Sequence, residues 1–84
     1  MKRDDVLRTL LQYRRSKETD YRIARIGMFG SAARDEMVED SDVDVVVELN
    51  DPDLFVLVGI KQDLEELLHR PVDIVRHHYF DVDA

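Results

Sequence analysis

Residues 26–49 read IGMFGSAARDEMVEDSDVDVVVEL, and their order decides the fold. The chain from Arg22 to Phe29 alternates loosely around Ile23 and Ile26 and stops at Gly30-Ser31, which predicts a strand running into a tight turn. Ser31 is placed to cap a short helix from Ala32 to about Met37. Val43 to Leu49 is nearly all β-branched and apolar, so it reads as the central strand, buried on both faces. Asp42 and Asp44 stand at its start.

Upstream, Val6, Leu7, Leu10, Leu11 and Tyr13 recur at helical spacing behind Asp4 and Asp5, which predicts an amphipathic helix over 4–18 with one aspartate capping it. Downstream, Asp51-Pro52 has the form of an N-cap followed by a first-turn proline. Leu54, Leu57, Val58, Ile60, Leu64, Leu67 and Leu68 supply the expected buried side of that helix. Gly59 inside it suggests close packing. Pro71 then opens a short strand, Val72 to Val75, and residues 76–84 carry no clear pattern.

The order α-β-α-β-α-β predicts an α/β (α+β) domain, a three-stranded mixed sheet with flanking helices. If Ser31 must lie beside Asp42 and Asp44, the first two strands are antiparallel. The helical crossover from Leu49 to Pro71 suits a parallel pairing of the second and third strands, which brings Asp73 beside the Asp42/Asp44 pair.

The length of 84 residues gives one domain, 1–84, with a small core for which a partner is a source of stability. A net charge of −7 argues against general nucleic-acid coating and against anionic membranes. The charge is segregated: residues 1–25 hold eight basic and four acidic side chains, and residues 26–84 hold four basic and fifteen acidic ones. That division fits a solvated basic helix beside an acidic body, or acidity gathered for a cation. There is no cysteine, hence no disulfide or thiolate site. No uncharged run approaches a membrane span, and the first residues do not form a signal peptide, so the expected compartment is the cytoplasm.

Alternate strand residues project from one face, so Asp42 and Asp44 point the same way, roughly 6–7 Å apart. An Asp-x-Asp at a strand start is a solvated turn or a hard-oxygen site for Mg²⁺ or Mn²⁺. Asp73, inside the apolar run Val72 to Val75, repeats the anomaly and favours the second reading. Gly30-Ser31 is by itself a plain helix start. Beside these carboxylates it becomes a turn whose backbone and hydroxyl suit phosphate oxygens.

Gly30-Ser31, ten intervening residues and Asp42-Val43-Asp44 resemble the GS-x10-D-x-D signature of the DNA polymerase beta-like nucleotidyltransferases. The stretch MFGSAARDEMVEDSDVDVVVEL is similar to the minimal (MNT) branch, the antitoxins of HEPN/MNT toxin–antitoxin pairs, and RPVDIV at 70–75 to its third-carboxylate strand. The resemblance, from about Ile26 through Val75, implies a minimal nucleotidyltransferase fold. It implies metal coordination by Asp42, Asp44 and Asp73, acceptor activation by Asp73, and nucleotide contacts from Gly30, Ser31 and Arg34. Relatives commonly have glycine after that arginine, whereas Asp35-Glu36 follow here and add negative charge. The chain also stops soon after the third strand, where relatives usually continue.

The implied activity is Mg²⁺-dependent transfer of AMP from ATP, with two ions, to a hydroxyl, expected to be a tyrosine of a HEPN ribonuclease toxin that forms a hetero-oligomer with this chain. Two other readings are an antitoxin acting only by acidic occlusion of the toxin, and transfer to a small molecule. His77 and His78 read as tail residues rather than ligands, Tyr79 and Phe80 as packing or partner contacts, Met28 and Phe29 as strand core, and Arg22 and Arg25 as ion-pair partners of the acidic body.

Overall fold

A computed structural model describes residues 2–38, 41–51, 53–76 and 82–84. The elements are α1 (Arg3–Tyr21), β1 (Ile23–Met28), α2 (Gly30–Ala33), β2 (Val43–Leu49), α3 (Leu54–Leu68), β3 (Val72–Arg76) and β4 (Val82–Asp83). The expected three-stranded mixed sheet is present: β1 and β2 are antiparallel, and β2 and β3 parallel. A fourth, two-residue strand is added on the free side of β1, giving the order β3-β2-β1-β4. That strand corrects the patternless reading of the tail. Two residues carry no periodicity, and only pairing with Gly27 and Met28, continued by the Ala84 amide donating to the Ile26 carbonyl at 2.9 Å, defines them.

The pleat of β2 sorts its residues. Val43, Val45, Val47 and Leu49 join the core with Val6, Leu10 and Tyr13 of α1 and Ile60, Leu64 and Leu68 of α3. Asp44, Val46 and Glu48 project from the opposite face, where only Val46 is fully buried, so β2 is apolar on one side rather than on both. The loose alternation of β1 has a cause in a register shift between Ile23 and Arg25: the irregularity lets Ile23, Ile26 and Met28 all reach the core. Arg25 consequently pairs with Glu48, 3.9 Å away across the strands, as expected of it.

Helix boundaries depart from expectation in three places. α1 starts at Arg3 with Lys2 as N-cap, and Asp5 acts from inside the first turn by accepting from the Lys2 amide at 3.4 Å. α2 is a single turn whose N-cap is Phe29, so Ser31 lies inside the helix and does not cap it. α3 is capped by Asp53 rather than Asp51: the Asp53 carboxylate accepts from the Phe55 amide at 2.8 Å. Pro52 lies outside the described residues. Gly59 does face close packing, since a Cβ there would come 3.3 Å from the Tyr21 hydroxyl.

The buried side of α3 is narrower than expected. Ile60, Leu64 and Leu68 form one stripe with Leu57 partly covered. Leu54, Val58 and Leu67 are exposed, as is Phe55. At 100° per residue Phe55 and Val58 lie well off that stripe and Leu54 about 40° beyond its edge, whereas Leu67 falls within about 20° of Ile60, at the rim of the stripe on the side of α1. Among the described residues no helix is long and apolar enough to cross a membrane.

Candidate functional site

The ends of β1, β2 and β3 that carry Gly30, Asp44 and Asp73 meet at one end of the sheet. β1 runs into Gly30, and the Phe29 amide donates to the Asp44 carbonyl at 3.1 Å, fixing the turn against the start of β2. Asp44 and Asp73 are register partners on adjacent parallel strands, so their side chains leave the sheet on the same face. Asp42 precedes β2 by one residue and is exposed. All three sequence-predicted carboxylates therefore converge on one end of the sheet.

Gly30 has φ +64°, the left-handed region, and a Cβ built on it would overlap an Asp44 carboxylate oxygen. Only glycine admits that approach. The turn expected to cradle phosphate thus lies directly against an aspartate expected to ligate metal.

The electrostatics of Asp44 follow from this crowding. Burial pushes its carboxyl above the usual aspartate range, Asp73 and then Asp42 push it further, and Arg34 pulls it back. None of the three aspartates is in an ion pair among the described residues. The donor set is all oxygen and Arg34 offsets only part of its negative charge, which fits a hard divalent cation in kind. Among the described residues, no three carboxylate, histidine or cysteine side chains are already closed around a single point.

Arg34 ends α2, and its guanidinium Nε lies 3.1 Å from Glu36 Oε2 in an exposed pair. Asp35 turns away from the site: its Oδ1 accepts from the Arg3 amide at 2.8 Å, tying the start of α1 to the end of α2. Asp35 also has φ +58°, the conformation a glycine would take without strain. That conformation gives the departure from the family's glycine a physical meaning: the backbone shape is kept, and a hydrogen bond offsets the strain.

Arg70 carried no role in the sequence reading. Its Nη1 donates to the Val38 carbonyl at 2.8 Å and to the Ser41 carbonyl at 3.5 Å, bracing the segment that leads into Asp42 from the C-terminal end of α3. The Ser41 hydroxyl accepts from the Val38 amide at 2.9 Å, and the Pro71 carbonyl accepts from the Val43 amide at 2.9 Å. Glu65 adds a further tie, accepting from the Val72 amide at 3.0 Å and from Lys61 at 3.1 Å, and both interactions, the Val72 amide first, hold its carboxyl below the usual range. The signal for Arg70 was a cation standing immediately before the Pro71 strand start, but its partners lie about thirty positions away in sequence.

Two concavities of about 260 and 310 Å³ lie elsewhere, between α1 and α3, with Tyr13, Ser16 and Leu67 lining both. The polar feature of the smaller one is a satisfied pair: the Tyr13 hydroxyl donates to Asp63 Oδ2 at 2.7 Å, and burial, reinforced by that bond, raises the phenol's pKa. Neither concavity includes the Gly30-Ser31 turn or the aspartates. His77, His78, Tyr79 and Phe80 lie outside the described residues.

The profile of the nucleotidyltransferase domain matches residues 7–82. The chain belongs to the nucleotidyltransferase domain family. A protein of Methanocaldococcus jannaschii that bears the name putative protein adenylyltransferase is 40% identical over 57 residues, covering 67% of this chain and 61% of that protein. The protein adenylyltransferase MntA of Thermococcus cleftensis is 33% identical over 73 residues, 86% of this chain and 74% of that one. The fold matches a crystal structure of the MntA–HpeT toxin–antitoxin with a TM-score of 0.70 at 21% identity, over 84% of this chain and 56% of that chain.

Proposed function

We propose that this chain transfers AMP from ATP to a hydroxyl group of a protein, a tyrosine of a HEPN ribonuclease toxin, and thereby silences it as the antitoxin. The observation that carries the reading is Asp44, crowded by Asp73 and Asp42 and pressed against the Gly30 turn, with Arg34 offsetting only part of that crowding and no ion pair to it among the described residues. Like charges so arranged disfavour the ionised form, and a site built that way is served by a cation and an incoming nucleotide. The names of the relatives and the toxin–antitoxin likeness of the fold support the substrate and the partner.

In this mechanism Asp42, Asp44 and Asp73 would hold Mg²⁺ or Mn²⁺, with two ions expected in the full site. When bound, the metal neutralises charge on the phosphates and on the attacking and leaving oxygens. Gly30 and Ser31 offer backbone amides and a hydroxyl to the phosphates. Arg34 exchanges Glu36 for a phosphate oxygen, a cheap exchange because an exposed ion pair is worth roughly 0–1 kcal/mol. The acceptor oxygen attacks the α-phosphorus, the bond to the bridging oxygen of the β-phosphate breaks, and pyrophosphate leaves. Asp73 takes the hydroxyl proton, which a phenol of pKa about 10 does not release unaided at neutral pH. The cytoplasm, the compartment expected of this chain, supplies the ATP that such a reaction consumes.

A second reading, occlusion without chemistry, is favoured by the acidic body, fifteen acidic against four basic side chains over 26–84. The two separate on incubating the chain with α-labelled ATP, Mg²⁺ and the protein product of the neighbouring open reading frame, which this reading requires to be a HEPN ribonuclease. Label on the toxin that disappears with Asp42→Asn supports transfer. Inhibition of the ribonuclease that survives Asp42→Asn without label overturns it in favour of occlusion.

A further inference from the structure

The apolar residues of α3 serve two different purposes. Ile60, Leu64 and Leu68 are buried, whereas Leu54, Phe55 and Val58 are 72, 86 and 46% exposed. At 100° per residue these three fall within about 100° of helix circumference and within two turns, so they form one patch. The fold does not require them apolar: the core stripe is complete without them, and α3 is capped by Asp53. A phenylalanine almost wholly in water is explained by something that covers it.

The patch lies at the N-terminal end of α3. The opposite end leads to Arg70 and Pro71, whose contacts with Val38, Ser41 and Val43 adjoin Asp42. The fourteen-residue rise from Leu54 to Leu68 separates the two ends by about 21 Å. A small acceptor at the aspartates does not reach the patch, but a protein does. Asp51 and Asp53, both exposed, flank the patch, and the body from residue 26 onward carries the acidic excess. A second copy laid over the patch about a two-fold axis would set Asp51 and Asp53 against their own copies, which like charge disfavours.

We infer that Leu54, Phe55 and Val58 anchor a docking surface for a basic protein partner, one whose contact has an apolar centre rimmed by lysine or arginine. The inference rests on the reading of this chain as a protein adenylyltransferase: the partner is held at the far end of α3 while its acceptor hydroxyl reaches the aspartates. Docking and chemistry are then separate, and damage to the patch raises the partner concentration needed for transfer without lowering the rate at saturation.

The test uses the intact chain, the purified protein product of the neighbouring open reading frame, and Phe55→Ser and Val58→Ser variants whose folding is checked by circular dichroism and thermal melting. We expect each variant to bind the partner at least about tenfold more weakly. AMP transfer should fall at low partner concentration and recover at saturation, and 0.5 M NaCl should weaken wild-type binding further. Unchanged affinity in both variants, with transfer intact, overturns the docking surface and leaves the transferase reading standing. Absence of both binding and transfer in the wild type overturns the two together. A wild-type dimer by light scattering that Phe55→Ser converts to monomer assigns the patch to a second copy and overturns the basic partner.

Discussion

The two sides of β2 obey opposite rules. On the side facing the helices, Val43, Val45, Val47 and Leu49 are almost wholly removed from solvent against α1 and α3. On the other, Asp44 lies beside Asp73 and Asp42 in an environment that disfavours its charge. One seven-residue strand therefore supplies stability through one face and accepts an electrostatic cost on the other, because successive side chains leave a strand in opposite directions. The lesson is that the site's instability belongs to the site: the core does not depend on it, so stability and chemistry should separate under mutation.

The largest expected effect is on chemistry. Asp44→Asn should lower AMP transfer by roughly a hundredfold or more, read with labelled ATP, since it removes a charge the transition state uses. It should at the same time raise the melting temperature at neutral pH. A carboxylate whose folded-state pKa is raised favours the protonated fold, so its contribution is fully present below the unfolded pKa and is lost as pH rises through the raised value. An uncharged amide in its place removes that loss. The gain is a few degrees at most, because Asp44 is only partly buried and about 1 kcal/mol corresponds to roughly 4–8 °C in a domain of this size. The advantage of the Asp44→Asn variant should shrink as pH falls through the aspartate range.

Val45→Ala tests the other side. Truncating this fully buried side chain should cost about 2–3 kcal/mol, seen as a lowered midpoint in urea with an unchanged slope, while transfer per folded molecule stays within about twofold. Equal losses of activity and stability from Val45→Ala, or loss of stability from Asp44→Asn, would end the separation of the two faces.

Gly30→Ala lies where the faces are joined. A methyl group there overlaps the Asp44 carboxylate, and φ +64° is strained for any side chain. The expected cost is about 1–2 kcal/mol from the backbone alone. Asp44 must also rotate away, so transfer should fall by more than the stability loss explains. An alanine variant with full transfer would mean that the turn and the aspartate act independently.

Much of this was legible in the sequence because the residues concerned are locally determined. The β-branched run Val43 to Leu49, the Gly30-Ser31 stop and the Asp42/Asp44 spacing each specify a strand, a turn or a shared face within a few positions. The Asp44–Asp73 pairing was reachable as well, since the helical crossover from Leu49 to Pro71 suits parallel second and third strands and so sets Asp73 beside Asp44. What escaped has long-range causes. β4 exists only through its pairing with β1, and Arg70 acts on carbonyls about thirty positions away. Asp51 and Asp53 flank Pro52 with the same cap chemistry, and only the geometry of the first turn selects Asp53. The outward leucines of α3 misled because composition marks a residue as apolar without saying which way the helix turns it.

The smallest effect is the sharpest test of the charged face. Asp35 occupies a left-handed conformation at φ +58° and accepts a hydrogen bond from the Arg3 amide at 2.8 Å. Asp35→Gly relieves strain worth about 1 kcal/mol and gives up an exposed hydrogen bond worth about 0.5–1.5 kcal/mol. The two nearly cancel, so the melting temperature should barely move. What remains is the removal of one negative charge immediately after Arg34. In a water-like dielectric one exposed charge beside the site is worth a few tenths of a kcal/mol, which should tighten Mg·ATP binding by up to about twofold by calorimetry at low salt and have less effect as salt screens it. A glycine variant that binds nucleotide no better would mean that Asp35 is already neutralised by the start of α1, and that the unfavourable charge on this side of the sheet is confined to the three aspartates.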